Sequence, residues 1–154
     1  VARIVARAAE PVDATLLASR LRAADVAEIH AAFGPVDVAD ALRASLRSSV
    51  KAWAATLDGE PLFIGGVGCL SFVSGVGSPW LVAAEEATRY PAALTRVAKG
   101  FVPEMLELFP RLENWVDVRN KASAAWLARL GFTLYDPEPY GPQGLPFHRF
   151  DMEA

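Results

Sequence analysis

The sequence predicts an α+β domain, a mixed and mostly antiparallel sheet of six or seven strands with helices on both faces. Three observations carry this expectation. The hydrophobic period changes from helical to alternating near Lys51. Asp58-Gly59 then stands between two strand-like runs, the signal of a tight hairpin turn. A long helical stretch, Pro91 to Phe109, separates two further strand-like runs, supplying the crossover that parallel neighbours require. At 154 residues the chain forms one domain, 1–154, with no room for two full cores.

The elements follow in order. Val1 to Ala8 alternates weakly and is rich in β-branched residues, so it reads as a first or edge strand. Pro11 suits the first turn of a helix in which Leu16, Leu17 and Leu21 recur at helical spacing. Asp25 can cap a second helix, Val26 to Phe33, which stops at Gly34-Pro35. Val38, Leu42 and Leu46 predict a third, ending near Arg47. Lys51–Leu57 and Pro61–Ser71 are the strands of the first hairpin. A second hairpin runs through Ser74-Gly-Val-Gly77 to Pro79–Ala84. Pro91 to Phe109 is an amphipathic helix in which Gly100 and Pro103 predict a kink. Arg111–Arg119 is a strand, Lys121–Leu130 a helix, and Phe132–Tyr135 a strand. Pro137, Pro139 and Pro142 mark a loop, and Leu145–Met152 closes the sheet. Trp126, Leu127 and Leu130 share one helical arc and are expected to be mainly buried.

Composition excludes several functions. Hydrophobic residues make up 53% of the chain, yet charges and prolines keep every apolar run short of the roughly 18 residues a membrane span needs. The first residues lack the apolar region of a signal peptide, and a cytoplasmic protein without membrane partners is expected. The single cysteine, Cys69, excludes an internal disulfide or cysteine-based zinc site and reads as a core thiol in an apolar run. A net charge of −3 gives no case for nucleic acid, and Arg20, Arg22, Arg43 and Arg47 read as solvated helix faces. His30 and His148 form no zinc pattern, so no metal is expected. Gly65-Gly66-Val-Gly68 lies within a strand pattern and reads as close backbone packing or a bulge.

The most informative run is Val116-Asp-Val-Arg-Asn120-Lys-Ala-Ser-Ala-Ala-Trp126-Leu-Ala-Arg-Leu130-Gly-Phe132. It reads as a strand stopping at an asparagine, a helix, a glycine stop and a new strand. That layout resembles a motif of the GCN5-related N-acetyltransferases (GNAT), with Asn120, Ser123, Leu127, Gly131 and Phe132 in its frame. The order of elements matches that family along nearly the whole chain, and the residue-level likeness runs from about Leu112 to Leu134. The resemblance implies a GNAT-like fold and an acetyl-CoA-dependent N-acetyltransferase, with a CoA thioester and an amine acceptor as partners.

The same resemblance implies site residues. Trp115-Val-Asp117-Val-Arg119 is similar to the Leu-Glu-Val-Arg segment of enzymes that acetylate ribosomal proteins, which places Asp117 at their general base. The alternative for Asp117 is an ion pair with Arg119 or Arg111, and Glu85 and Glu86 are further candidate bases. Asn120 implies either a cofactor contact or the N-cap of the following helix. Leu81 and Val82, on the strand before the crossover, would line the cofactor groove, and Arg89 or Arg96 would meet its phosphates. The chain departs from the family at two points. Arg89-Tyr-Pro91-Ala92-Ala-Leu94 stands in place of a glycine-bearing pyrophosphate loop, and Leu127 in place of the acidic tyrosine. Tyr135 and Tyr140 read as packing and loop residues. The chain also resembles short phage-encoded proteins of this fold, in Leu112-Glu-Asn, Trp126-Leu, Leu130-Gly-Phe and Gly144-Leu-Pro-Phe-His-Arg-Phe150. That likeness implies a second reading, a non-enzymatic structural or internal virion protein that pairs with a second copy or another virion component.

Overall fold

The structure is a computed structural model that describes residues 3–154. Its elements are β1 (Ile4–Ala8), α1 (Pro11–Ala18), α2 (Ala23–Phe33), α3 (Val38–Ser48), β2 (Ser49–Leu57), β3 (Glu60–Ser71) and β4 (Val76–Ala83). A 3-10 turn (Glu85–Arg89) leads to α4 (Pro91–Leu108), β5 (Arg111–Asp117), α5 (Lys121–Leu130), β6 (Thr133–Leu134), β7 (Glu138–Tyr140) and β8 (Leu145–Glu153). Among the described residues the sheet has eight strands, in the order β1-β2-β3-β4-β5-β8-β6, with β7 also on β8. Among the described residues only β4 and β5 pair in parallel. The expected α+β mixed sheet is therefore present, with one strand more than the sequence suggested.

That extra strand is β7. Pro139 and the prolines flanking the strand predicted a loop, but Pro139 faces Pro146 on β8, a position where neither residue has an N–H to give. Glu138 and Tyr140 can then carry the ladder. Of the first expected strand, Val1 and Ala2 lie outside the described residues, and the remainder pairs with β2 from Ile4.

Local chemistry explains most boundaries. Pro11 occupies the first turn of α1, and buried Asp13 accepts the Glu10 amide at 2.7 Å while pairing with Arg7. α1 stops at Ala18, and Leu21 instead bridges Ala84 at the end of β4. Asp37 caps α3 by accepting the Asp40 amide at 3.0 Å. Asp58 (φ 50°) and Gly59 (φ 89°) both adopt the left-handed conformation that a two-residue hairpin turn needs. Asp25 does not cap α2: it sits inside the first turn, and Arg22 takes the capping position without a side-chain bond. Pro103 lies within α4 on its exposed face, where water can satisfy the carbonyl left unpaired one turn earlier.

The sheet has a core on each face. Phe63, Phe101, Met105, Phe109, Leu112 and Val116 belong to the layer under α4 and α5. Leu17, Ile29, Leu42, Ile64 and Val82 belong to the layer under α1, α2 and α3. Gly65 and Gly66 let strands and side chains approach: a Cβ on Gly66 would come within 3.0 Å of Ser49 Oγ and Trp80 Nε1. Those two groups form a 2.7 Å hydrogen bond. The glycine run is thus close packing. Cys69, expected in the core, is exposed because β3 extends past the covering helices there.

Candidate active site

The site begins with a break in the sheet. β4 and β5 pair only at Val76↔Arg111 and Gly77↔Leu112. The next β4 residue facing β5 is Pro79, which has no N–H and ends the ladder. Asn114 on β5 reaches across and donates to the Pro79 carbonyl at 2.7 Å, fixing the point of divergence. β5 meanwhile stays paired with β8 along its whole length. The strands therefore splay, leaving an opening through the sheet.

Register determines which backbone groups face the opening. Ala84 donates to Leu62 on β3, so even-numbered β4 residues bond to β3 and odd-numbered ones turn toward the gap. Ala83 is occupied there, since its amide donates to Asp25 Oδ2 at 2.9 Å and its carbonyl accepts from the Arg22 amide. Leu81 is the residue that turns its N–H and C=O toward the splayed gap. Val82 bonds to β3 instead and offers the opening only its side chain. Of the two strand residues expected to line a cofactor groove, Leu81 alone presents backbone.

A cleft of about 180 Å³ passes through this opening. On one side it meets Leu81, Phe101, Val102, Trp126, Leu127 and Phe132, under α4 and α5. On the other it meets Glu28, Phe33, Trp80, Trp115 and Tyr140. Trp115 follows from strand alternation, because its neighbour Val116 points into the α4–α5 layer. Trp126 and Leu127 are only half-buried, and α5 holds no fully buried residue. The apolar arc is nonetheless mainly buried, with Leu127 and Leu130 packed against the core, and it is not fully enclosed because it also borders the cleft. Trp126 Nε1 donates to Thr95 Oγ1 at 3.0 Å and ties α5 to α4.

Glu28 is the one carboxylate lining the cleft. Its Oε1 accepts the Asp117 amide at 2.9 Å and Asn120 Nδ2 at 3.2 Å. Burial pushes its pKa up to about 7, against those hydrogen bonds, with the Asp25 and Asp117 charges adding to the rise. The sequence reading missed Glu28. A signal was present, since Asp25, Glu28, Ile29 and Ala32 follow i, i+3, i+4 and i+7 and so put two acids on an inward arc. Asp25 is buried too, and desolvation raises its pKa although Ala83, Arg22 and Asn120 oppose this.

Asp117 is 1% exposed and does not line the cleft. Arg119 holds it through a 2.7 Å ion pair and its backbone amide at 2.9 Å. Burial alone would raise this carboxyl, but the Arg119 hydrogen bonds and charge outweigh it and hold it below the usual range. It thus lacks both the access and the basicity that proton acceptance needs. The same turn ends β5 at Asp117, two residues sooner than the sequence suggested.

Asn120 is 2% exposed and stands at the N-cap position of α5, its carbonyl accepting the Ala124 amide. No side-chain bond caps α5. Its Oδ1 accepts from Arg22, and its Nδ2 donates to Asp25 and Glu28, so the amide joins α2 to the start of α5. Arg89 is exposed at the end of the 3-10 turn, as are Glu85 and Glu86 beside it, and none of the three lines the cleft. A shallow basin instead gathers Arg96, Lys99 and Arg129 around Pro91, Ala92 and Thr95. It lies along the first half of α4, whose N-terminus carries a partial positive charge.

Comparison of the fold with solved structures is decisive at the level of architecture. The chain superposes on a GNAT-family acetyltransferase from Streptococcus pneumoniae with a TM-score of 0.69 and 14% identity, over 99% of this chain and 100% of that one. The chain has the GNAT fold. Aminoglycoside acetyltransferase AAC(6')-Ib in complex with coenzyme A gives a TM-score of 0.70 at 18% identity, covering 99% and 95% of the two chains. The Salmonella typhimurium protein yncA with its cofactor acetyl-CoA gives 0.71 at 14%, covering 97% and 93%. No family model and no curated protein matches the sequence. No helix among the described residues is long and apolar enough to cross a membrane.

Proposed function

We propose that the protein is an acetyl-CoA-dependent N-acyltransferase in which Glu28 is the general base. The observation that carries this reading is the cleft through the β4–β5 opening with one carboxylate of pKa about 7 on its wall. Structural neighbours solved with coenzyme A or acetyl-CoA support the cofactor class.

The residues present fit such a group. Leu81 offers an N–H and a C=O to the pantetheine arm within the opening. Arg96, Lys99 and Arg129 supply the positive charge for phosphates that the glycine loop would otherwise help to bind, offsetting the donor removed at Pro91. Bound acetyl-CoA would supply an acyl thioester, whose C–S bond is exchanged for a C–N bond to the acceptor, with the sulfur leaving as a thiol.

Glu28 takes the proton that an arriving ammonium must lose before its nitrogen can attack. A pKa near the working pH balances the fraction ionised against basic strength. Asn120 and the Asp117 amide orient the Glu28 carboxylate and leave its second oxygen for substrate. Leu127 cannot donate a proton to the leaving sulfur. Ser123, one turn earlier on the same helix face and lining the cleft, can: its oxygen accepts from Arg22 and its own proton remains available.

A thermal-shift titration with acetyl-CoA tests the reading. A concentration-dependent rise in melting temperature, reduced by R96A and K99A, is expected. No rise at millimolar acetyl-CoA would favour the non-enzymatic alternative.

A further inference from the structure

We propose that the acceptor side of the cleft takes a small aromatic monoamine, a ring joined to a primary amine by a short alkyl chain. The inference rests on the acyltransferase reading for the role of the site and goes beyond it to the class of substrate.

Charge sets the first limit. Glu28 is the only carboxylate among the lining residues, and no lysine or arginine lines the cleft. Asp25, one turn earlier, adds no second anchor, because Arg22, the Asn120 amide and the Ala83 amide already occupy its oxygens. One ammonium group can therefore be paired. A polyamine or aminoglycoside would have to place its other cations against apolar walls, where an unpaired charge is strongly disfavoured.

The walls set the second limit. Trp115 stacks on Tyr140 with ring centroids 4.8 Å apart, and Tyr140 in turn leans on Phe147 at 5.0 Å. Trp80 adjoins from β4, its Nε1 already bonded to Ser49, so its ring offers an apolar surface and no donor. Phe33, the last residue of α2, lines the cleft while 62% exposed. An aromatic ligand would cover Phe33 and meet the other rings in the offset or edge-on arrangements such groups prefer. The cleft of about 180 Å³ spans both sides of the opening, so the acceptor side holds only part of that volume and limits the acceptor to a small molecule.

Calorimetric titration of the full chain, with and without acetyl-CoA, tests this. The probes are 2-phenylethylamine, 2-phenylethanol, which lacks the ammonium, ethylamine, which lacks the ring, spermidine and kanamycin. The expected result is that 2-phenylethylamine binds at least about tenfold more tightly than any of the others. F33A should weaken it several-fold with an unchanged melting temperature, since that ring is largely in water. E28Q should abolish the preference for the amine over the alcohol. Equal or tighter binding of ethylamine, spermidine or kanamycin would overturn the inference. Binding of 2-phenylethylamine without any response to acetyl-CoA would uphold the ligand class and remove the acyltransferase reading. A response to acetyl-CoA without discrimination among the amines would do the reverse.

Discussion

The Asp117 backbone amide donates to Glu28 Oε1 at 2.9 Å, so the end of β5 holds the carboxylate of another element in place. One residue thus contributes its amide to the cleft-side acid while its own side chain is turned away and paired with Arg119. This division of roles separates the position the motif indicates from the group available for chemistry.

Glu28 gives a signed pH dependence. Its folded-state pKa of about 7 lies above its ordinary 4.5, so between these values the folded protein keeps a proton that the unfolded chain has lost. The stabilising contribution is complete below pH 4.5 and is lost as pH rises through 7. E28Q should therefore be more stable than the parent at pH 8, by up to about 3 kcal/mol, and should lose that advantage near pH 4. Urea denaturation at the two pH values checks this. Asp117 acts in the opposite sense: its lowered pKa stabilises at neutral pH, and that contribution disappears as the carboxyl is protonated in acid.

Asn120→Ala removes the amide shared by Arg22, Asp25 and Glu28 and leaves buried polar groups unpaired. A loss of roughly 2–3 kcal/mol is expected in chemical denaturation. Asn120→Asp should be worse, because it adds a third carboxylate beside two. A loss of under about 0.5 kcal/mol for the alanine variant would mean the network carries little energy.

Trp126→Ala should cost only about 1–2 kcal/mol, less than a core tryptophan, because the ring is half-buried over the cleft. The same change removes the Nε1 bond to Thr95 and should weaken any acetyl-CoA thermal shift. A cost of about 4 kcal/mol would show that α5 packs more tightly than the cleft allows.

Gly77→Ala tests the geometry of the splay. A Cβ there would collide with the Phe109 ring, so the last paired rung of β4 and β5 must distort. A loss of about 1–3 kcal/mol is expected from overpacking. Cys69, exposed on the outer part of β3, should react with a thiol reagent in the native protein as fast as it does in denaturant.

Much of the fold was legible because its signals are local. Asp58-Gly59 sets its own turn, Pro11 and Pro91 start helices, and the length of α4 predicts the parallel crossover. The site was less legible because it is built from distant contacts. Asp117, Asn120 and Arg89 fit a linear motif. Whether a carboxylate acts as a base, however, depends on burial and partners brought from other elements. Glu28 meets the end of β5 across the fold, and only its place on the inward arc of α2 hinted at this. Pro139 misled for the same reason, since pairing across from Pro146 tolerates what the local sequence disfavours.

The central claim is that Glu28, not Asp117, accepts the proton in acyl transfer. The pH dependence of amine-dependent thiol release from acetyl-CoA tests it most directly, in the parent protein, E28Q and D117N. The account predicts a rise in rate through about pH 7 in the parent, a loss of at least about 100-fold with no such rise in E28Q, and the rise retained in D117N. Abolition of transfer in D117N with an unchanged profile in E28Q would contradict it.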